Sequence, residues 1–266
     1  MKHLIPFVKS PPHVAVLRLS GVIAAAGRQG SLSDAALAPV IERAFRKGKP
    51  DAVALVINSP GGSPVQSALI AARIRRLAEE KEIPVFAFVE DVAASGGYWL
   101  ACAADEIWVD PSSVTGSIGV ISSGFGFQGL IERHGVDRRV YTAGKSKSML
   151  DPFQAEKPAD VKRLRQMLDG IHTVFKDYVT MRRADRLDPS KDLFTGDIWV
   201  GQAAIDVGIA DHIGHVVPVM KEMYGDKLRF SVHGAKRSIW QRFGAKLIGG
   251  ALGEIEDRAA YARFGL

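Results

Sequence analysis

The residues best suited to chemistry are at positions 93–97, where the sequence reads Ala-Ala-Ser-Gly-Gly. A serine followed by two glycines is typical of a sharp turn from a strand into a helix, because glycine tolerates unusual backbone angles and lets a ligand approach closely. A helix that begins there directs its free N–H groups at the turn, where they could stabilise a developing oxyanion. Ser95 is therefore a candidate nucleophile. The same stretch is equally typical of a helix N-cap, which favours serine, and it does not decide between the two.

The flanking segments predict the strand and the helix that would position this turn. Residues 84–89 form an apolar run typical of a buried strand, and residues 98–104 indicate a short buried helix. A second apolar strand, over residues 53–57, runs into the turn Asn-Ser-Pro-Gly-Gly-Ser. Because turns that follow successive strands of a parallel sheet lie at the same edge, we expect the glycines at 61–62 to face Ser95 across a crevice.

The alternation of strands and helices along the chain predicts an α/β fold with a mostly parallel sheet. The helices are recognised by capping residues at their starts and by apolar residues at helical spacing. The further predicted strands are 14–23, 106–110 and 138–142, and residues 115–121 are predicted as a turn and a strand. The predicted helices begin near Asp34 and Pro64, with a long one from about Pro158 to Arg183.

Composition and length are those of an ordinary globular protein. The 266 residues suffice for one large domain or two small ones, and 47% hydrophobic with 24% charged residues supports a sizeable core. The one cysteine, Cys102, excludes an intramolecular disulfide and is expected in the core. No stretch approaches a membrane span and no signal peptide is recognised, so we expect a location in the cytoplasm or peripheral to the inner membrane. The net charge of +6 weakly favours an anionic surface as partner.

Two glycine-containing motifs suggest nucleotide binding, and both fail on their context. Residues 124–129 match the dinucleotide fingerprint, but the helix after them has barely two turns before Gly135. Residues 144–146 end like a phosphate-binding loop, whereas the glycine that such a loop needs earlier falls at Arg139. We therefore expect no cofactor, no metal ion and no nucleic-acid partner.

A serine nucleophile needs a base, and lysine is a better candidate here than histidine. Four histidines lie on or beside predicted helices without the setting of a triad: His134, His172, His212 and His215. The Gly-x-Ser-x-Gly elbow is also absent, since Ala93 takes its first position. Ser–Lys pairs are a known alternative, in which burial must lower the pKa of the amine by roughly 3 units. Lys147 precedes an apolar stretch and is a candidate, although a single lysine is more often a solvated surface cation.

Taken together, the motifs resemble the signal peptide peptidase A family of serine proteases, which are relatives in fold of the Clp protease and crotonase enzymes. The resemblance spans about residues 14–217, and its matching segments are 17–23, 58–63, 94–98, 115–120, 144–148 and 194–211. It implies a Clp protease/crotonase-like α/β fold of repeated β-β-α units, with a helical C-terminal extension. It also implies a homo-oligomeric ring in which neighbouring protomers help to build the substrate cleft.

The resemblance further assigns roles to particular residues. Spacing alone does not choose between Lys145 and Lys147, and the family pattern selects Lys147. The implied site residues are Ser95 as nucleophile, Lys147 as general base, Ser117 as the residue that orients the lysine amine, and the amides of Gly61, Gly62 and Gly96 as the oxyanion hole.

The predicted domains are a peptidase domain over 1–217 and a basic C-terminal extension over 218–266. Apolar residues at helical spacing between 239 and 252 make this extension either a helix on a membrane surface or an arm on a neighbouring protomer, and we favour the arm. The predicted function is a Ser–Lys endopeptidase that cleaves extended apolar peptides, such as signal-peptide remnants. The alternatives are a crotonase-like acyl-thioester enzyme and a catalytically silent scaffold.

Overall fold

The computed structural model describes residues 11–25, 31–144, 146–234 and 258–266. Its strands are β1 (His13–Ser20), β2 (Ala52–Ser59), β3 (Val85–Ala94), β4 (Glu106–Val109), β5 (Val114–Gly116), β6 (Ile198–Val200), β7 (His212–Ile213) and β8 (Arg229–His233). Its helices are α1 (Asp34–Arg46), α2 (Pro64–Lys81), α3 (Gly96–Ala101), α4 (Gln128–Arg133), α5 (Pro158–Arg183), α6 (Gln202–Asp206) and α7 (Val216–Tyr224).

The strands form one sheet in the order β6-β5-β3-β2-β1-β8, with β4 pairing to β3 and β7. All described pairings are parallel except β5 with β6. The central strands β2 and β3 consist almost wholly of buried apolar residues, because helices cover both faces of the sheet. The predicted fold class, an α/β protein with a mostly parallel sheet, is confirmed.

The core has two layers, one on each face of the sheet. The larger contains the apolar faces of α1 and α2, most of α3, and the C-terminal half of α5 around Phe175 and Val179. The smaller lies under α7, where Val219 and Met220 pack against the opposite faces of β1, β2 and β3. Cys102, directly after α3, is buried in the larger layer as predicted, and burial raises the pKa of its thiol to about 12.

Strand β3 is longer than its apolar run indicates. The strand continues from the predicted end at 89 as far as Ala94, so Ala93 and Ala94, which were predicted as part of the turn, belong to the strand. This extension forms because β5 pairs with it, from Val92 with Val114 to Ala94 with Gly116. The turn is thereby reduced to one residue, Ser95.

Residues 119–174, which we call the outer segment, contain no buried residue in their described part. The strand predicted over 138–142 is wrong, since these residues have no neighbouring strand to pair with and lie in irregular structure. Of the turn and strand predicted over 115–121, only residues 115 and 116 are in a strand, because β5 ends at Gly116. By contrast, α5 begins and ends at the predicted residues, Pro158 and Arg183.

The C-terminal region contributes to the sheet and to the site. Helix α7 and strand β8 continue past the predicted domain boundary at 217, and β8 pairs with β1. The boundary stays a prediction, since residues 235–257, including the apolar positions 239–252, lie outside the described residues. Residues 258–262 are helical and lie against the sheet. None of the helices in the described ranges is long and apolar enough to cross a membrane.

Candidate active site

Ser95 forms the whole turn between β3 and α3. Its backbone angles are φ 52° and ψ −120°, a conformation that residues other than glycine rarely adopt. The Ser95 N–H donates to the Gly116 carbonyl at 2.8 Å, and the Ser95 carbonyl accepts from the Trp99 N–H at 3.0 Å. Because neighbouring backbone holds both sides of the residue, the unusual conformation is fixed, as is common at functional sites.

The side chain of Ser95 does not cap the helix that follows it. No hydrogen bond joins its hydroxyl to the first turn of α3, and Oγ has no partner among the described residues. The N-cap interpretation of this serine is therefore wrong. Ser95 is half-buried and its hydroxyl is left available for a ligand or a base.

The glycine turn after β2 lies directly against the Ser95 turn, as the sheet topology predicts. Gly61 has a φ of 99°, and a Cβ there would come within 2.7 Å of both the Ala94 carbonyl oxygen and the Gly96 nitrogen. Gly62 has a φ of 142°, and a Cβ there would overlap the Ile23 carbonyl oxygen. No larger residue fits either position without displacing backbone.

The three amides expected to form an oxyanion hole are not equivalent. The Gly61 N–H donates to Ser59 Oγ at 3.2 Å. In the described part of the chain, the Gly62 and Gly96 N–H groups have no hydrogen-bond acceptor. These two amides are close together, because a Cβ built on Gly96 would lie 3.3 Å from the Gly62 nitrogen. The available donors beside Ser95 are thus Gly62 and Gly96.

Ser117 reaches the same site from the neighbouring strand. The register between β3 and β5 pairs Ala94 with Gly116, so Ser95 and Ser117 follow adjacent strands at the same level. Ser117 also has a positive φ, of 51°, and its N–H donates to the Asp197 carbonyl at 2.6 Å. A backbone bond therefore fixes this second serine as well.

A cavity of 620 Å³ opens in front of the two serines. Its size is typical of a ligand site, and its wall is mostly apolar. The wall combines the turns of the sheet edge, the start of the outer segment, one face of α5 and the C-terminal residues: Pro60, Gly62, Pro64, Ser95, Gly96, Trp99, Ser117, Gly119, Val120, Ile121, Leu168, Ile171, Phe175, Thr195, Gly196, Arg263 and Phe264.

Lys147 is the candidate residue that the structure does not bring to the site. It lies in a run of turns within the outer segment, its side chain is exposed, and it does not line the cavity. Its neighbour in the pattern, Lys145, lies outside the described residues. The structure thus brings Ser95, Ser117 and the glycine turns together and leaves the proposed base apart from them.

None of the described histidines bonds to Ser95 Oγ or lines the cavity. His172 on α5 bonds through Nε2 to the Ile118 carbonyl oxygen at 3.1 Å. His13 and His233 lie on β1 and β8, where their Nε2 atoms are 2.7 and 3.0 Å from Ser231 Oγ. Burial lowers the pKa of His233, and the nearby cations Lys47 and Arg43 and the imidazole of His13 lower it further. No group of three metal-ligating side chains is found within the described ranges.

Helix α5 is tied to the sheet by contacts that sequence reasoning did not find. The Arg183 guanidinium is 2% exposed and donates to both carboxylate oxygens of Asp211, at 2.8 and 2.9 Å, and to the Gly208 carbonyl. Burial alone would raise the pKa of Asp211, but the Arg183 hydrogen bonds and charge outweigh it and hold that pKa below its usual range.

Trp99 stacks on Phe175 at 4.7 Å between ring centroids, which joins α3 to α5 at the cavity.

Two cavity residues, Arg263 and Phe264, were also missed by the sequence reasoning. They stand in the extension that was predicted to bind a membrane or a neighbouring protomer. No local pattern could have placed them here, because Phe264 packs against Val92, Ala94 and Val114, which lie in strands far earlier in the chain.

Comparison with known proteins identifies the family of this chain. A model of peptidase family S49 matches residues 77–228, more than half of the chain, including Ser95 and Lys147. The chain belongs to peptidase family S49. The resemblance to signal peptide peptidase A proteins is thereby confirmed.

Three relatives illustrate the range of proteins in which such a sequence occurs. The Na(+)/H(+) antiporter NhaA of Brucella melitensis biotype 1 is 44% identical over 100% of this chain and 39% of its own length. The probable protease SohB of Haemophilus influenzae is 34% identical over 73% of this chain and 54% of its own length. The chloroplastic serine protease SPPA of Arabidopsis thaliana is 32% identical over 76% of this chain and 30% of its own length. The chain thus spans about a third to a half of these curated relatives.

Proposed function

We propose that this S49 peptidase is an endopeptidase in which Ser95 is the nucleophile and Lys147 the general base. The observation that supports it best is the Ser95 turn. A serine held at positive φ, with an unpartnered hydroxyl beside two free amides, has the parts of an acyl-transfer site. Family S49 membership supplies the matching reaction class.

The proposed reaction has two steps. Ser95 Oγ attacks the peptide carbonyl carbon while its proton passes to the Lys147 amine, and the carbonyl oxygen becomes an oxyanion that accepts from the Gly62 and Gly96 N–H groups. The C–N bond then breaks, and the leaving amine takes the proton from the lysine. Water then attacks the acyl carbon while its proton passes to the lysine amine. The ester bond between that carbon and Ser95 Oγ breaks, the carboxylic acid product leaves, and the amine returns the proton to Oγ. Gly61 would position the turn, since its own N–H is bound to Ser59.

Lys147 must come to Ser95 for this reaction, either by closure of the outer segment or from a neighbouring copy of the chain. The outer segment carries large apolar side chains that are strongly exposed, including Phe125 at 82% and Tyr141 at 91%. Exposed apolar side chains of this kind mark surfaces that bind another protein or a membrane. We propose a homo-oligomer in which a neighbour covers them and completes the cleft.

The substrate proposed for the cleft is an extended apolar peptide, such as a signal-peptide remnant. The cavity lies at an edge of the sheet and its wall is mostly apolar, which suits a peptide that binds in extended form with apolar side chains in pockets. Short or unfolded apolar peptides should therefore be cut, and compact folded proteins should resist.

The chain is further proposed to contact a membrane surface peripherally. Support comes from the relative named as an antiporter, whose match extends over the whole of this chain, and from the net charge of +6. Flotation with anionic lipid vesicles should recover the protein at low salt, and recovery should fall at high salt. Equal recovery with vesicles of purely zwitterionic lipid would argue against the charge-based contact.

A serine-directed phosphonate tests the nucleophile directly. Intact-mass analysis of the folded protein should show one adduct per chain, located on Ser95 and absent from the Ser95→Ala variant. A protein that hydrolyses peptides yet is labelled elsewhere contradicts the assignment. A folded protein that neither hydrolyses nor reacts favours the acyl-thioester enzyme or the silent scaffold.

A further inference from the structure

The C-terminal residues 258–266 are held against the sheet beside the candidate active site. Tyr261 and Phe264 pack on an apolar cluster formed by Val92, Ala94 and Val114, at the ends of β3 and β5. The Tyr261 hydroxyl also donates to the carbonyl oxygen of Asn58 at 2.8 Å, close to the glycine turn. Both anchors attach this segment to strands that lead into the site.

Arg263 lies between the two anchors and lines the cavity together with Phe264. It carries the sole formal charge among the described residues of the cavity wall. No described carboxylate pairs with it, and its guanidinium carbon lies 5.9 Å from the centre of the Phe264 ring. The guanidinium of Arg263 therefore faces a cleft whose described wall is otherwise neutral.

We propose that Arg263 binds a carboxylate of the peptide substrate, which makes it a specificity-determining residue. This proposal rests on the peptidase function proposed above. A guanidinium presents a planar fork of N–H donors that matches a carboxylate, and a mostly apolar wall strengthens such a pair by excluding water. The carboxylate is either an acidic side chain of the substrate or its C-terminus, since both present the same pair of oxygens.

The position of the carboxylate along the peptide should be restricted. Tyr261 and Phe264 fix the backbone on either side of Arg263, and Ser95 fixes the scissile bond. An extended peptide advances by about 3.3 Å per residue, so the guanidinium reaches only one or two neighbouring positions of a bound substrate. A preference for acidic residues at every position of the peptide would instead indicate long-range attraction by the positive charge of the protein, and no specific contact with Arg263.

The test uses one apolar peptide with a single cleavage site and neutral residues around it. Glutamine is replaced by glutamate at one position at a time, and a separate pair differs only in a C-terminal carboxylate or carboxamide. For the wild-type protein we expect kcat/KM to rise about tenfold for one glutamate position or for the free C-terminus. The two arms of the series distinguish an acidic side chain from a terminal carboxylate.

Variants assign the preference to the guanidinium. Arg263→Gln should reduce the acidic-to-neutral ratio to about one, and Arg263→Lys should give an intermediate ratio, because the charge remains and the fork is lost. The matched control is Arg258→Gln, which removes an exposed arginine of the same segment that does not line the cavity. It should keep the wild-type ratio.

The two proposals fail in different ways. Wild-type protein that cleaves the series without any preference for a carboxylate overturns the role of Arg263, as does a ratio that Arg263→Gln and Arg258→Gln change equally. Hydrolysis that persists in Ser95→Ala overturns the peptidase assignment instead, whatever the ratio. Unfolding midpoints of the arginine variants should match the wild type, which excludes a structural cause for a lost preference.

Discussion

The turns at the sheet edge are fixed by contacts within the chain, whereas the outer segment has few such contacts. The turns at 60–63, at 95–97 and at 116–117 are held by backbone hydrogen bonds, by register between neighbouring strands, and by contacts that only glycine permits. The outer segment, residues 119–174, has no buried residue in its described part. One region carries the candidate nucleophile, and the other carries the candidate base.

The proposed nucleophile with its oxyanion donors and the proposed general base therefore depend on different interactions for their positions. The positions of Ser95 and of the Gly62 and Gly96 amides follow from packing within the chain, so they persist in an isolated protomer. The position of Lys147 does not follow from any packing in the described chain. Under the proposed mechanism this position depends on closure of the outer segment or on assembly, and the catalytic rate should therefore depend on them too.

The largest effect should come from removing either member of the proposed Ser–Lys dyad. Ser95→Ala and Lys147→Ala should each lower kcat/KM on an apolar peptide by about a thousandfold or more, because each loses a group that acts in the transition state. Circular dichroism and unfolding midpoints should stay near wild type. A Lys147→Ala variant that keeps its activity contradicts the assigned base.

Mixing the two inactive variants shows where the lysine comes from. If the amine is supplied by a neighbour, randomly mixed oligomers should recover up to about a quarter of the wild-type activity. If the outer segment closes within its own chain, the mixture stays inactive. The result therefore shows whether Lys147 acts on Ser95 of its own chain or on Ser95 of a neighbouring chain.

A smaller effect, on stability, should separate the two regions through their glycines. Gly61→Ala should lower the free energy of unfolding by about 2–4 kcal/mol, because the residue has a positive φ and its Cβ would contact the Ser95 turn. Gly124→Ala in the outer segment should change it by less than about 0.5 kcal/mol, since a Cβ there meets nothing within 4 Å. Denaturant titration measures both, and equal losses would mean that the outer segment is packed after all.

Ser117→Ala should have a still smaller effect, on the rate alone. Its hydroxyl is proposed to hydrogen-bond the lysine amine, so its loss should lower kcat about tenfold without abolishing hydrolysis. The matched comparison is Lys145→Ala, which should keep most of the activity. If Lys145→Ala is inactive and Lys147→Ala active, the assigned register of the base is wrong by two residues.

The smallest effect concerns pH and the buried His233. Because its pKa in the folded protein is lowered from 6.5, the unfolded chain binds a proton that the folded chain resists. Stability should therefore fall as pH decreases below about 6.5, and His233→Gln should make that fall shallower. His134→Gln, which removes an exposed histidine of the outer segment, is the control. Unfolding midpoints between pH 5 and 8 provide the measurement, and an unchanged slope in His233→Gln contradicts the prediction.

The features that the sequence predicted correctly are those with local causes. The apolar run of β2, the spacing of α5 and the turn glycines each act through neighbours in sequence or through adjacent parallel strands. The juxtaposition of Gly61 with Ser95 was predictable for that reason. The strand over 138–142 was wrong because suitable residues do not form a strand without a partner to pair with.

The features that the sequence could not predict depend on distant contacts. Ala93 and Ala94 were predicted as turn residues, and pairing with β5 includes them in the strand. The placement of Arg263 at the cavity depends on Tyr261 and Phe264 finding the ends of β3 and β5. The exposure of Lys147 likewise has no signature in its own sequence, since the apolar residues after it predicted a half-buried setting.

The rate at which the single cysteine is modified should report how often the candidate active-site turn opens. Thiol reagents attack the thiolate, and Cys102 is both buried and held in its neutral form by a pKa of about 12. Labelling thus requires local unfolding around α3, the helix that begins directly after Ser95. The rate of Cys102 modification in native conditions therefore measures how often α3 unfolds locally. Ligands that occupy the cleft should slow it in proportion to how firmly they hold the turn closed.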